Sequence, residues 1–343
     1  MQYTREVHVH PETFPETMAE DVRRGLTHTP KFLPPKYFYD PRGSALFEQI
    51  TELPEYYLTR TEHELLRRVA PGLIRHLRPR EIVELGSGAS AKVRHLLDAL
   101  DGAPVRYLPV DVDEQMVARA AGELIRGYPL LRIHGIIGDF ERHLPRLPAP
   151  AGRRLVAFLG STLGNLDPPA RHAFLREVRR LLLPGDQFLL GIDLVKDPAA
   201  LEAAYDDAQG VTAEFNRNIL HVINRTLQAN FRVEAFEHRA RYNRPAARIE
   251  MHLHPRSPQT VRLAALDLTV TITPEEGIWT ESSYKFTRES CVSMLRAAGM
   301  RMDDWLTDLG RQFALTLASP VGMPESGREA PAEREGLTPV PAW

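Results

Sequence analysis

The sequence is poor in three things, and each absence excludes a class. It holds one cysteine, Cys291, so no intrachain disulfide and no thiolate metal cluster can form, and the residue reads as a small filler on a helix face. Charge of one sign is not in excess: 43 basic side chains stand against 45 acidic ones over 343 residues, which excludes a polybasic surface for nucleic acid or anionic membrane. No run approaches the roughly 20 consecutive apolar residues that cross a bilayer, and Met1 to Phe14 carries charges and histidines where a signal peptide needs an apolar segment. A soluble cytoplasmic monomer is the expectation. With 43% hydrophobic residues the chain can bury a substantial core, and its length suits two domains or one with a large insertion.

The clearest order begins at Arg80, where Glu81-Ile82-Val83-Glu84-Leu85 runs into Gly86-Ser87-Gly88 and a helix-compatible stretch ending near Leu100. Strands are predicted over Val105 to Val112, Leu131 to Ile137, Arg154 to Leu159 and Gln187 to Ile192, with helices over Glu114 to Arg126 and Pro168 to Leu183. Strands alternating with helices imply a doubly wound α/β fold with a mostly parallel sheet covered on both faces. After Asp193 the rhythm changes: a helical stretch precedes alternating segments such as Ile249 to His254 and Leu266 to Ile272, a pattern of antiparallel strands. The βα pattern resumes with a helix over Arg288 to Ala298, a stop at Gly299 and a last strand over Phe313 to Ala318. The expected organisation is a discontinuous α/β domain over 62–195 and 287–320, a second α+β domain over 10–61 and 196–286, and a tail over 321–343 rich in Pro, Gly and Glu.

In such a sheet ligands sit beyond the carboxyl ends of the strands. The loop from Glu84 to Ala91 places glycines where the backbone must turn sharply and approach a ligand. As G-x-G-x-x-A it fits a dinucleotide fingerprint, with Asp111 lying 25 residues after Gly86, and it equally fits a structural turn. The next strand ends favour an adenosyl ligand. Asp111 can accept from both ribose hydroxyls, while Asp139-Phe140 offers an acid for an adenine amino group and a ring beside the base. Acids suit the positive sulfonium of S-adenosylmethionine, which has no pyrophosphate to place on a helix N-terminus. Lys92 is either a ligand of the methionyl carboxylate or a solvated helix lysine, and Asp113 reads as a helix cap. At the fourth strand end, Gly160 to Asn165 offers an amide for a substrate carboxylate or amine, or else is a glycine-rich turn with Asn165 left-handed. His252 and His254 read as a same-face pair on an exposed strand, and no metal site is expected.

Five segments together resemble a known family: Leu33 to Asp40, Gly43 to Phe47, Leu53 to Glu62, Gly160 to Asn165 and Thr280 to Phe286. They look like the S-adenosylmethionine-dependent histidine Nα-methyltransferases of ergothioneine biosynthesis, over roughly His28 to Ala318. The resemblance implies a class I methyltransferase domain and a second domain built from the N-terminal segment plus an insertion. It implies that Asn165, Tyr56 and Tyr205 hold the substrate carboxylate and that Glu281 and Ser283 hold the imidazole. Tyr39 would face the reacting amine as the catalytic residue, with Phe47, Gly160 and Met251 shaping the pocket. S-adenosylmethionine would be held by Gly86, Lys92, Asp111, Asp139 and Phe140, leaving as S-adenosylhomocysteine. Relatives acting on tryptophan lack the acidic imidazole partner, so Glu281 with Met251 implies L-histidine. The rivals are an NAD-dependent oxidoreductase, for which no acid or base stands out, and a noncatalytic amino-acid or nucleotide sensor.

Overall fold

A computed structural model describes residues 2–9 and 14–322, so the expected tail lies, from residue 323 onward, outside the described residues. The chain order is β1 (Tyr3–Val7), α1 (Phe14–Thr27), α2 (Pro41–Glu52), α3 (Tyr57–Leu77), β2 (Glu81–Leu85), α4 (Val93–Asp98), β3 (Val105–Asp111), α5 (Glu114–Gly127), β4 (Leu131–Ile137), α6 (Phe140–His143), β5 (Arg154–Phe158), α7 (Pro168–Leu181) and β6 (Gln187–Asp193). There follow α8 (Pro198–Ala203), α9 (Val211–Leu227), β7 (Phe236–Asn243), β8 (Arg248–Pro255), β9 (Gln259–Leu263), β10 (Leu268–Ile272), β11 (Ile278–Tyr284), α10 (Arg288–Ala297), β12 (Met300–Thr307) and β13 (Phe313–Pro320).

The large sheet has the order β1-β4-β3-β2-β5-β6-β13-β12, parallel from β1 to β6 and antiparallel at β13 and β12. Its middle strands β2 and β5 are buried at every residue, as a sheet covered on both faces demands. Two strands escape the sequence reading. β1 adds an outer parallel strand beside β4, and β12 pairs with β13 at the other edge. Strand order reverses between β2 and β5, so the loops after Leu85 and Phe158 open on one crevice.

The antiparallel strands form a three-stranded sheet, β11-β8-β7, and a two-stranded one, β10-β9. One apolar core joins Met18, Leu33, Phe38 and Tyr56 from the N-terminal segment to Ile219, Phe236, Met251 and Ile278 from the insertion. Two further cores line the faces of the large sheet. β8 is the central strand of its sheet, not an exposed one. His252 and His254 do share a face, but His252 stacks on Trp279 at 5.9 Å between ring centroids, packing that accounts for the pair without a metal. Among the described residues no group of three metal-ligating side chains exists.

Candidate active site

The glycine loop is built as its sequence requires. Gly86 and Gly88 have φ of +65° and +48°, conformations that a Cβ disfavours. The N–H of Gly88 donates to Asp111 Oδ2 at 2.8 Å, and that of Asp113 to Oδ1 at 3.1 Å, so Asp111 is oriented at the tip of β3. Burial pushes the Asp111 carboxyl above its ordinary range, with the backbone donors opposing that shift. Asp113 caps α5 by accepting from Met116 N at 2.9 Å. Phe140 lies against the loop: a Cβ on Gly86 would meet its ring at 3.7 Å, and Phe158 and Phe174 hold that ring edge-on. Asp139 uses Oδ1 to cap α6, accepting from Glu141 N at 2.8 Å.

Across the strand-order switch stands Glu62, which α3 carries fully buried. Both its oxygens accept the Gly160 N–H, at 2.8 and 2.9 Å, and Oε2 takes the Lys92 ammonium at 2.7 Å. Lys92 is therefore ion-paired, not a solvated helix lysine, and it precedes α4. The left-handed residues after β5 are Gly160 and Ser161, at φ +79° and +58°; Asn165 instead closes a 3₁₀ turn over Thr162–Asn165. Gly164 brings that turn against β11, because a Cβ there would meet Tyr284 O at 2.8 Å.

The opposite wall is aromatic. Asp40 caps α2 through Gly43 N at 2.8 Å and is tied to α9 by Asn218 and Arg225, while Asn218 also holds the Phe38 carbonyl. Anchored on both sides, Tyr39 projects its ring edge-on to Phe47 at 5.7 Å and Phe215 at 5.5 Å. Phe47 in turn meets Tyr56, and Tyr56 meets Tyr205, at 6.3 and 6.1 Å. Tyr39 is 46% exposed, yet the charges of Glu281, Tyr205 and Asp111 all act on its hydroxyl. The hydroxyl thus lies within electrostatic reach of Asp111 on the glycine-loop side and of Glu281 and Tyr205 on the other. Desolvation there, with those acids adding, holds the Tyr39 phenol well above its ordinary range.

A β-bulge sets the direction of the polar side chains of β11. β11 pairs Ile278 with Leu253 and Trp279 with His252, then resumes at Glu281 with Met251, so Thr280 is an extra residue. Plain alternation would put Ile278, Thr280 and Ser282 on one face. The extra residue flips the parity and brings Glu281 and Ser283 onto the face of Met251 and Ile249, toward the interior. Thr280 is held by its hydroxyl donating to Met251 O at 3.0 Å. Burial raises the Glu281 carboxyl to about 7, Lys285 pulls the other way, and no protein hydrogen bond contributes. Ser283 Oγ lies 2.7 Å from Tyr205 Oη.

Behind them sits a buried ionic cluster. Lys285 Nζ contacts Asp193 Oδ2 at 2.8 Å, Ser283 Oγ at 2.8 Å and Tyr205 Oη at 3.0 Å. Asp193, at the tip of β6, also accepts from the Tyr57 hydroxyl and from Lys196. Burial alone would raise the Asp193 carboxyl, but Lys285 and Lys196 hold it below its ordinary range.

Residues 18–320 match the family model of the histidine-specific, S-adenosylmethionine-dependent methyltransferases. The chain belongs to this family. Within it, the chain is 51% identical over 305 residues to the histidine N-alpha-methyltransferase of Mycolicibacterium smegmatis, spanning 88% of this chain and 95% of that protein. It is 29% identical over 327 residues to ergothioneine biosynthesis protein 1 of Neurospora crassa, covering 92% of this chain and 36% of the fungal protein. At 27% over 325 residues it is similar to the 4-dimethylallyltryptophan N-methyltransferase of Claviceps purpurea, covering 88% and 94%.

In this member of the histidine-specific family, ring contacts and a hydrogen bond join Tyr39, Phe47, Tyr56, Tyr205 and Ser283 in one series, and Glu281 lies two residues from Ser283 on β11. Asp111 and Phe140 contact the glycine loop, and Glu62 joins Lys92 to Gly160. Met251 is wholly buried and underlies Glu281, and Lys92 is spoken for by Glu62 on one of its three N–H groups. Three residues outside the predicted set are integral to the site: Glu62, Asp193 and Lys285. Glu62 was legible, since it falls on the buried stripe of α3 with Leu58, Leu65 and Leu66, where a carboxylate is out of place unless paired.

Proposed function

We propose that this chain methylates the α-amino nitrogen of L-histidine with S-adenosylmethionine, three times in succession, to give the Nα-trimethyl betaine hercynine, the opening step of ergothioneine biosynthesis. The observation that carries this reading is Glu281: a half-buried carboxylate whose side chain takes no hydrogen bond among the described residues, turned inward by a bulge beside Ser283 and within electrostatic reach of Tyr39, Tyr56 and Tyr205. Such an acceptor suits an imidazole N–H and is left unsatisfied by a side chain without one. Kinship with the mycobacterial histidine enzyme and with the fungal ergothioneine protein supports the same substrate and pathway. The core shared by the N-terminal segment and the insertion supports reading 10–61 and 196–286 as one substrate domain.

Gly86, Lys92, Asp111, Asp139 and Phe140 would hold S-adenosylmethionine, and the bent glycine backbone, the ribose-ready carboxylate and the ring against Gly86 fit an adenosyl group. That co-substrate supplies the electrophilic methyl group. Tyr56, Tyr205 and Asn165 fix the substrate carboxylate, and Glu281 with Ser283 fixes the ring, so the amine is held from both ends in line for attack. The amine reacts unprotonated, whereas the α-amino group of a free amino acid is mostly protonated at neutral pH, its own carboxylate favouring the ammonium. Tyr39 orients it. A phenol held far above its ordinary pKa stays protonated at neutral pH and is no general base. As methyl groups accumulate, the faces of Tyr39 and Phe47 attract the growing cation without needing a proton donor.

Tyr39→Phe is accordingly expected to lower kcat by about tenfold or less, keep the histidine Kd, and leave the pH profile in place. Loss of nearly all turnover with a displaced pH profile would make Tyr39 a proton acceptor instead. The whole assignment is tested by incubating the protein with S-adenosylmethionine and an equimolar mixture of the common amino acids, then reading products by mass. Mono-, di- and trimethylated histidine alone is the expected result. Methylation of a different amino acid would retain the reaction and overturn the substrate, while tight histidine binding without product would make the chain a sensor.

A further inference from the structure

Glu281 and Ser283 share a face of β11 beyond the bulge, and Lys285, the residue after the strand, reaches the Ser283 hydroxyl at 2.8 Å. Lys285 is buried, and each of its three N–H donors has an acceptor: Asp193 Oδ2, Ser283 Oγ and Tyr205 Oη. Because the ammonium can only donate, both hydroxyl oxygens receive from it. Two hydroxyl protons remain: one spans the 2.7 Å contact between Ser283 and Tyr205, and the other is left for a bound molecule. Asp193 is itself locked by Tyr57 and Lys196, so Lys285 is held from behind. Tyr57 and Lys285, two motif residues that the site assignment did not absorb, meet at this one carboxylate.

We infer that Lys285 is a positioning residue for the ring end of the substrate, orienting the Ser283 and Tyr205 hydroxyls and supplying the positive charge that faces Glu281. The inference rests on the proposed binding of histidine by Glu281 and Ser283, and adds a residue that touches no substrate. The groups acting on Glu281, or acted on by it, are Lys285, Tyr39, Tyr56 and Tyr205. Those around Lys285 are Asp193 at the end of β6, Lys196 after it, Tyr205 after α8, Tyr242 of β7 and Ser283. Glu281 is thus ringed by neutral phenols and one cation. Without that cation its carboxylate is protonated at higher pH, and the ionised form that accepts the imidazole N–H is lost earlier on acidification.

The test is the pH dependence of histidine binding, by calorimetric titration with S-adenosylhomocysteine present, for the unaltered protein, Lys285→Met and Lys285→Arg. The ratio of the two proteins' Kd values at each pH cancels the titration of histidine itself. For Lys285→Met the acid limb is expected to move up by about one pH unit, giving a weakening of about fivefold at pH 7 that grows toward tenfold on acidification and shrinks toward pH 9, with S-adenosylhomocysteine affinity unchanged. Lys285→Arg restores the original limb. Asp193 keeps Lys196 and Tyr57 in the methionine variant, so no buried charge is orphaned; should that variant not fold, Lys285→Gln is expected to give the same shift. A uniform weakening at every pH would make Lys285 a packing element only and overturn the inference. Glu281→Gln separates the two levels: if it leaves the acid limb of the unaltered protein intact, the histidine reading fails, whereas a limb that belongs to Glu281 but ignores Lys285 sinks this inference alone.

Discussion

Glu281→Ala is expected to raise the Michaelis constant for histidine by about one to two orders of magnitude, the loss of a charge-assisted hydrogen bond of roughly 1.5–3 kcal/mol. The constant for S-adenosylmethionine should stay put, because Glu281 lies on β11 and the glycine loop follows β2. Direction and size both follow from the surroundings. Burial raises the Glu281 carboxyl to about 7, so the protein holds this acceptor at a cost that a ring N–H offsets. A folded-state pKa raised in this way makes ionised Glu281 destabilising to the free protein above about pH 7, and a ligand that donates to it relieves that penalty. Histidine affinity should accordingly fall as pH drops below about 7, where Glu281 protonates, and Glu281→Ala should flatten that part of the profile. The substitution also removes the group that penalises a ring without a suitably placed donor. Phenylalanine and tryptophan should therefore gain relative to histidine. An unchanged histidine constant would take Glu281 out of the site.

The same residue shows how far the sequence can be read. Its type and its neighbours Ser282 to Phe286 were visible, but alternation from Ile278 points the wrong set of side chains inward. Only the pairing of Glu281 with Met251, one register step displaced by Thr280, shows the flip. The parallel strands were legible because they are buried on both faces and read as apolar runs bounded by glycine. β1 was not: Tyr-Thr-Arg-Glu-Val is an edge strand whose last four residues are exposed, so it carries no apolar signal and is held by β4 alone. β12 was lost for a related reason, since a register shift between Met302 and Asp304 breaks its alternation. Contacts such as Tyr57 with Asp193, 136 positions apart, have no local periodicity to betray them.

Gly191→Ala is expected to cost stability out of proportion to one methyl group, on the order of 3 kcal/mol, and to weaken S-adenosylmethionine binding with it. Gly191 lies in the interior of β6, flanked by β5 and β13, so its backbone has no freedom to retreat. A Cβ there would overlap Glu62 Oε1 and press the Phe313 ring at 3.3 Å. The carboxylate must then leave the Gly160 N–H and Lys92 together, stranding a half-buried donor and unpairing a cation beside the glycine loop. Truncating a partner of a buried pair ordinarily costs about 3–5 kcal/mol, and overpacking about 1–3 kcal/mol. The cause is isolated by a double-mutant cycle with Glu62→Ala, read by thermal melting and by titration with S-adenosylmethionine. If displacement of Glu62 is the mechanism, adding Gly191→Ala to Glu62→Ala costs little more, because the methyl group then occupies the space the carboxylate has vacated. Full additivity would instead place the damage at Phe313 and leave the seat for Glu62 without a role.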